Sequence, residues 1–200
     1  RVSQSWLGLS YADTLHHAAH HYPPPLVPRR LVHGISGRID CLGKEVIPIG
    51  EREIRQAVEA LLDEGVESIA VCLLFSYINP SHELMLAEIA RDVMRSRGRE
   101  IPVHLSCNLA PISREQGRLN TVWLHAAAVD TGRKQYELIE RALHQRGYKN
   151  PLQVVLSHGG IANIRYSRLH ESAFSGPIGG LLGARFMAKE LGIDNWICAD

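Results

Sequence analysis

Apolar positions along the chain fall into alternating helical and extended patterns. Ile54, Val58, Leu61 and Leu62 recur at helical spacing, and Gly65 follows where a glycine can stop the helix. Ser68 to Phe75 (SIAVCLLF) is a continuous apolar run, which predicts a strand buried on both faces. Asn79-Pro80 then opens a second helix with an apolar stripe of Met85, Ile89 and Val93, ended by Gly98. Ile101 to Ser106 predicts a strand. The pattern from Ser113 to Gln145 predicts a long helix, with a bend or break near Asp130-Thr131-Gly132. Leu152 to Leu156 predicts another strand, followed by the loop Ser157-His158-Gly159-Gly160. A helix is expected from about Ile178 to Leu191, and a last short strand from Asn195 to Ala199.

The region before Ile54 reads differently. Tyr22-Pro23-Pro24-Pro25 and Pro28 block regular structure in residues 1–28. Short apolar runs between Arg29 and Ile49 flank Cys41-Leu42-Gly43-Lys44 and predict a β-hairpin. Strands alternating with helices imply an α/β domain with a largely parallel core. No internal repeat or low-complexity segment interrupts that order.

Composition narrows the function. The chain has 200 residues, 22% of them charged, and a formal net charge of +1, so no basic surface points to nucleic acid. No apolar run approaches the roughly 18 residues needed to span a bilayer, and no signal-peptide pattern opens the chain. Cys41, Cys72, Cys107 and Cys198 are scattered without a CxxC pair, as expected for reduced thiols in a cytoplasm. The absence of an initiator Met leads to the expectation that the chain is a segment of a longer one.

Candidate chemistry gathers at two glycine motifs. In Ser175-Gly176-Pro177-Ile178-Gly179-Gly180, at the start of a helix, free amides and the helix dipole favour an anion, and Pro177 suits a first helical turn. The same glycines, with Gly183, would equally serve close packing of a helix on a sheet. The motif is neither a Walker A loop nor a GxGxxG fingerprint. Ser157-His158-Gly159-Gly160 follows a strand, where open α/β sheets commonly place ligands. His158 there could contact a carbonyl or phosphate, or be only a solvated loop side chain. His16/His20 and His17/His21 have the i, i+4 spacing of a metal chelate, but prolines follow at once and carboxylates are few, so no metal site is expected. Asp200 follows an apolar run, a position that can hold Mg²⁺ or orient a water in phosphoryl-transfer folds.

Several segments in order carry a family resemblance: LVPRRLVHGISGRIDCLGKEVIPI, FSYINPSHE, SHGG, SGPIGGLLGA and the final Asp200. With these the chain resembles the hydantoinase A/oxoprolinase family, most of all the ATP-dependent large subunits of acetone-carboxylase type. The resemblance implies an α/β fold of the actin/Hsp70/sugar-kinase (ribonuclease H-like) type. It implies ATP with Mg²⁺ or Mn²⁺, used to activate a carbonyl or amide oxygen by phosphorylation. It further implies a cytoplasmic enzyme with a companion carboxylase or hydantoinase B-type subunit, a small-molecule substrate, and neither nucleic acid nor membrane as partner. The implied domains are an irregular lead-in over 1–28, the end of the family's N-terminal domain over 29–112, and the start of the hydantoinase A core over 113–200.

On the same basis Asp200 matches the first residue of the family's Asp-x-Gly-Gly-Thr phosphate motif, whose remainder, like a first phosphate motif, is expected outside this chain. The implied site has Asp200 and His158 as catalytic residues. Ser175, Gly176, Gly179 and Gly180 would bind nucleotide or phosphate, and Gly159 and Gly160 would form a substrate-proximal loop. His158 stands where hydantoinases and oxoprolinases tend to have Asn or Asp, and Ile178 where they usually have Ala, which implies ketone carboxylation rather than cyclic-amide hydrolysis. Arg118, Asn120 and Thr121 fit the family's Arg-x-x-Thr segment. Leu119 and Val122 replace threonines there, Ala127 replaces a Tyr, and Thr131 stands where Pro is usual. A non-catalytic assembly domain of the same fold is the rival from another class, and a free-standing Rossmann module is disfavoured by the missing GxGxxG.

Overall fold

The computed structural model describes residues 25–199. A 3-10 turn at Arg29–Leu31 leads into an antiparallel pair, β1 (Arg38–Ile39) and β2 (Glu45–Ile47). The turn between them is the expected hairpin. Asp40 Oδ1 accepts the amides of Leu42 and Lys44, and Gly43 takes φ 82°, a left-handed value that suits glycine.

Helix α1 (Glu51–Asp63) buries Ile54, Val58 and Leu62, as its spacing predicts, and Gly65 follows at φ 75°. Helix α2 (Ser81–Ser96) lies between the parallel strands β3 (Ile69–Val71) and β4 (Val103–Leu105), forming a βαβ unit. Asn79 accepts the Ser81 amide at 3.0 Å and donates to the Gly43 carbonyl at 2.8 Å, so one side chain starts the helix and ties it to the hairpin turn. The stripe facing the core is Leu86, Ile89, Ala90 and Val93, whereas Met85 is exposed. These residues close on α1, β3 and Leu105 in the main core. Each large aliphatic side chain buried there contributes about 1.5–3 kcal/mol relative to exposure.

Strand β3 is shorter than the apolar run SIAVCLLF predicts. Beyond Val71 the backbone finds side-chain partners instead of a strand: the Leu73 amide donates to Glu83 Oε1 at 2.8 Å and the Leu73 carbonyl accepts from Arg118. Phe75 then turns the chain at φ 57°. The short helix α3 (Ser106–Leu109) follows β4.

Helix α4 (Glu115–Gln145) runs 31 residues through Gly132 without the expected break. Thr131 keeps the amide that a proline would lack, and a single interior glycine costs only about 1 kcal/mol. A second antiparallel pair follows, β5 (Gln153–Val155) and β6 (Ile161–Asn163), then a 3-10 turn at Leu169–Ser172 and helix α5 (Ser175–Glu190). The core is therefore not largely parallel: among the described residues only β3 and β4 pair in parallel. No strand forms at Asn195–Ala199, where no partner strand is present among the described residues.

Candidate functional site

The SHGG segment is the turn of the β5–β6 hairpin rather than a loop at the end of a parallel strand. Leu156 and Gly160 close it by an amide–carbonyl bond of 2.8 Å, and the Gly159 amide returns to the Leu156 carbonyl at 2.8 Å. Gly159 supplies φ 86°, the left-handed residue such three-residue turns use. Gly160 has a different reason. A Cβ there would lie 2.5 Å from Cε1 of His158, so the missing side chain makes room for the imidazole.

His158 has a neighbour at each ring nitrogen. The Gly160 amide donates to Nδ1 at 3.3 Å, and Nε2 faces Glu171 Oε2 at 3.6 Å, while the side chain stays 62% exposed. Glu171 belongs to the 3-10 turn at Leu169–Ser172. Its carboxylate also meets Arg168 Nε at 3.2 Å and Tyr166 Oη at 3.4 Å, and its carbonyl accepts the Ser157 amide at 2.6 Å.

The neighbouring residue of that turn points inward. His170 Nδ1 lies 2.9 Å from His125 Nδ1 on α4, and the His125 ring packs edge-on to His104 of β4 at 4.8 Å between centroids. Burial, then the fields of His104, His170 and Arg133, lower the His125 pKa to about 4. Burial also lowers that of His170, against the opposing pull of Glu171. Two neutral rings joined through Nδ1 must take opposite tautomers, one donating and one accepting. Leu169, the first residue of the same turn, is buried as well. The turn thus fixes itself to α4 on one side and presents Glu171 to the hairpin loop on the other.

The second glycine motif lies inside α5, which begins at Ser175 rather than near Ile178. Its first turn carries no acidic residue, and Phe174 offers it no side-chain cap. A Cβ on Gly176, Gly179, Gly180 or Gly183 would meet nothing within 4 Å. Close packing therefore does not account for these glycines among the described residues. An open helix N-terminus with bare glycines fits an anionic group such as a nucleotide phosphate. The helix meets the SHGG turn further along, where Leu182 Cδ1 would lie 3.4 Å from a Cβ on Gly159.

A third cluster is buried between β3, α2, α3 and α4. Glu83 accepts the Leu73 amide at 2.8 Å, the Ser106 hydroxyl at 2.6 Å and the Cys107 amide at 2.9 Å. Arg118 donates to Ser76 Oγ at 2.8 Å and lies over the Tyr77 ring at 5.3 Å. Burial, and then the adjacent Glu83 carboxylate, push the Cys107 thiol up to about 12, so it is no nucleophile at neutral pH. Its four polar members are inaccessible, which makes the cluster a structural clamp.

Asp200 and the His16/His20 and His17/His21 pairs lie outside the described residues. Among the described residues no group of three or more His, Cys, Asp or Glu is placed to hold a metal ion, and no helix is long and apolar enough to cross a membrane. The sequence reading named His158, Gly159 and Gly160 but missed Glu171 and the His104–His125–His170 row. No spacing signals that row, since its members come from a strand, a helix and a turn.

Two family models match the chain: the hydantoinase/oxoprolinase N-terminal region over residues 8–94, and hydantoinase/oxoprolinase over 118–200. The acetone carboxylase beta subunit of Xanthobacter autotrophicus (strain ATCC BAA-1158 / Py2) is 37% identical over 200 residues, all of this chain and 28% of that protein. A nucleotide-free structure of acetone carboxylase, described with a mechanism of ATP-dependent acetone carboxylation, superposes with a TM-score of 0.81 at 36% identity. It covers 92% of this chain and 26% of its own. The ATP-dependent caprolactamase from Pseudomonas jessenii superposes with a TM-score of 0.75 at 26% identity, covering 92% and 28%. The chain thus spans about a quarter of the length of these relatives.

Proposed function

Since the chain belongs to the hydantoinase/oxoprolinase family, we propose that it is part of an ATP-dependent enzyme subunit that activates a ketone by phosphorylation on the way to its carboxylation. In this reading residues 29–112 end the N-terminal domain of an actin/Hsp70-type ATPase body, and 113–200 begin its core. ATP supplies the phosphoryl group, with Mg²⁺ or Mn²⁺ held in part by Asp200. A companion carboxylase subunit completes a cytoplasmic assembly. The observation that supports this best is the 37% identity to the acetone carboxylase beta subunit along the whole of the present chain.

The chain's own residues then divide the work. The first-turn amides of α5, with the bare backbone at Gly176, Gly179 and Gly180 and the Ser175 hydroxyl, receive a phosphate group. Glycine permits that approach, and the helix N-terminus stabilises its charge. His158, exposed on a rigid hairpin turn, donates a hydrogen bond to the developing enolate or phosphate oxygen of the substrate. Gly159 and Gly160 keep the loop narrow enough for the imidazole to reach it.

A second reading, ATP-dependent opening of a cyclic amide, is favoured by the superposition on caprolactamase. The deciding experiment uses the full-length subunit with its companions. ATP-coupled fixation of bicarbonate on acetone or acetophenone is compared with ring opening of hydantoin, 5-oxoproline and caprolactam. Ketone carboxylation supports the proposal, and ring opening without it overturns it. His158→Asn should lower turnover by about 10²-fold with little change in ATP affinity.

A further inference from the structure

We propose that Glu171 is a positioning residue for His158, holding its imidazole in one orientation with the hydrogen on Nε2. The inference rests on the reading that His158 serves the reaction, and its starting point is the hairpin turn. Gly160 donates its amide to Nδ1, so Nδ1 must present a lone pair and the neutral ring carries its hydrogen on Nε2. That nitrogen faces the Glu171 carboxylate at 3.6 Å.

The distance matters. It is too long for a hydrogen bond, yet short enough for a carboxylate to attract the N–H edge. The ring is therefore oriented while its donor stays available to a substrate oxygen. A carboxylate at hydrogen-bond distance would orient the ring equally well but occupy the donor.

Glu171 is built to keep that place. Arg168 holds Oε1 of its carboxylate, the Tyr166 hydroxyl donates to Oε2, the oxygen that faces His158, and its own carbonyl takes the Ser157 amide, which locks the 3-10 turn against the loop. The His170–His125 bond pins the same turn to α4, and Leu169 of that turn is buried. The Glu171 side chain is only 20% exposed, so it has little freedom to swing away.

The test needs no knowledge of the substrate. In the full-length subunit, an imidazole attacks a carbonyl of diethyl pyrocarbonate through its free lone pair, and peptide mass spectrometry reads each histidine separately. His158 should react slowly for so exposed a ring, because Gly160 occupies its only lone pair. Glu171→Gln frees the ring to swing Nδ1 off the Gly160 amide, and should raise the rate about fivefold, the factor expected when that one hydrogen bond is lost. The rate at buried His125 should stay unchanged. If Glu171→Gln exposes His125 as well, the variant has loosened the fold. Arg168→Met, which frees the same carboxylate without touching the imidazole, then decides by raising the His158 rate alone.

No rise at His158 in a folded variant of either kind overturns the proposal. Turnover gives the second readout. Glu171→Gln should lower kcat for ATP-coupled acetone carboxylation about tenfold at unchanged KM for ATP, as expected for a group acting on the chemical step. Should His158→Asn retain full turnover while Glu171→Gln still raises His158 reactivity, the role of His158 fails and the positioning stands.

Discussion

Glu83 and Arg118 are both fully buried, and the hydroxyls of Ser76 and Ser106 stand between them. Arg118 donates to Ser76, Ser76 and Ser106 are 3.1 Å apart, and Ser106 donates to Glu83. The opposite charges balance without direct contact, and each is paired with the backbone of Leu73. The βαβ unit and the long helix α4 are joined at this point.

Removing either charge leaves the other buried without compensation. Glu83→Ala and Arg118→Met should each cost about 3–5 kcal/mol, measured by urea denaturation. The double variant should cost clearly less than the sum, because it removes both uncompensated charges together. Additive losses would show that the serines do not couple the pair.

This clamp also explains where sequence reading stopped. Helix α1 was legible because Ile54, Val58 and Leu62 repeat at the helical period and Gly65 closes the pattern. The end of β3 was not, because it depends on Glu83 and Arg118, which lie ten and 45 residues from Leu73. The hairpin partner β6 is three residues long, too short to show an alternating pattern. At the candidate site the glycines and His158 could be read from their motif. Glu171 could not, since its role comes from a 3-10 turn whose anchor is a histidine on another helix.

The buried histidines predict a pH dependence. The His125 pKa is about 4 in the folded protein against 6.5 for the unperturbed group, so between these values the unfolded chain binds more protons. Stability is therefore full above pH 6.5, falls as the pH drops toward 4, and levels off below it. His170, also lowered, acts in the same direction. A proton added to the accepting Nδ1 would replace the 2.9 Å bond between the rings with a clash of two donors. Urea midpoints should drop between pH 7 and 5, with His125→Gln showing a flatter profile than wild type. Equal slopes would assign the acid sensitivity to other groups.

The glycines of α5 allow packing and ligand binding to be separated by one substitution. Gly180 is an interior helix position with open space where a Cβ would stand. Alanine there should raise helix stability by about 0.8–1 kcal/mol, since glycine is the poorer helix former by that amount. Helix propensity alone would therefore favour alanine at this position. If Gly180 instead leaves room for a phosphate against the backbone, the same methyl group occupies that room. Gly180→Ala in the full-length subunit should then weaken ATP binding by about tenfold, the equivalent of roughly 1.4 kcal/mol, while the melting temperature stays level or rises. Calorimetric titration of ATP and a thermal melt of the same sample measure both. Unchanged ATP affinity would remove Gly180 from the nucleotide site, and a lower melting temperature would show that the glycine serves packing in the complete subunit.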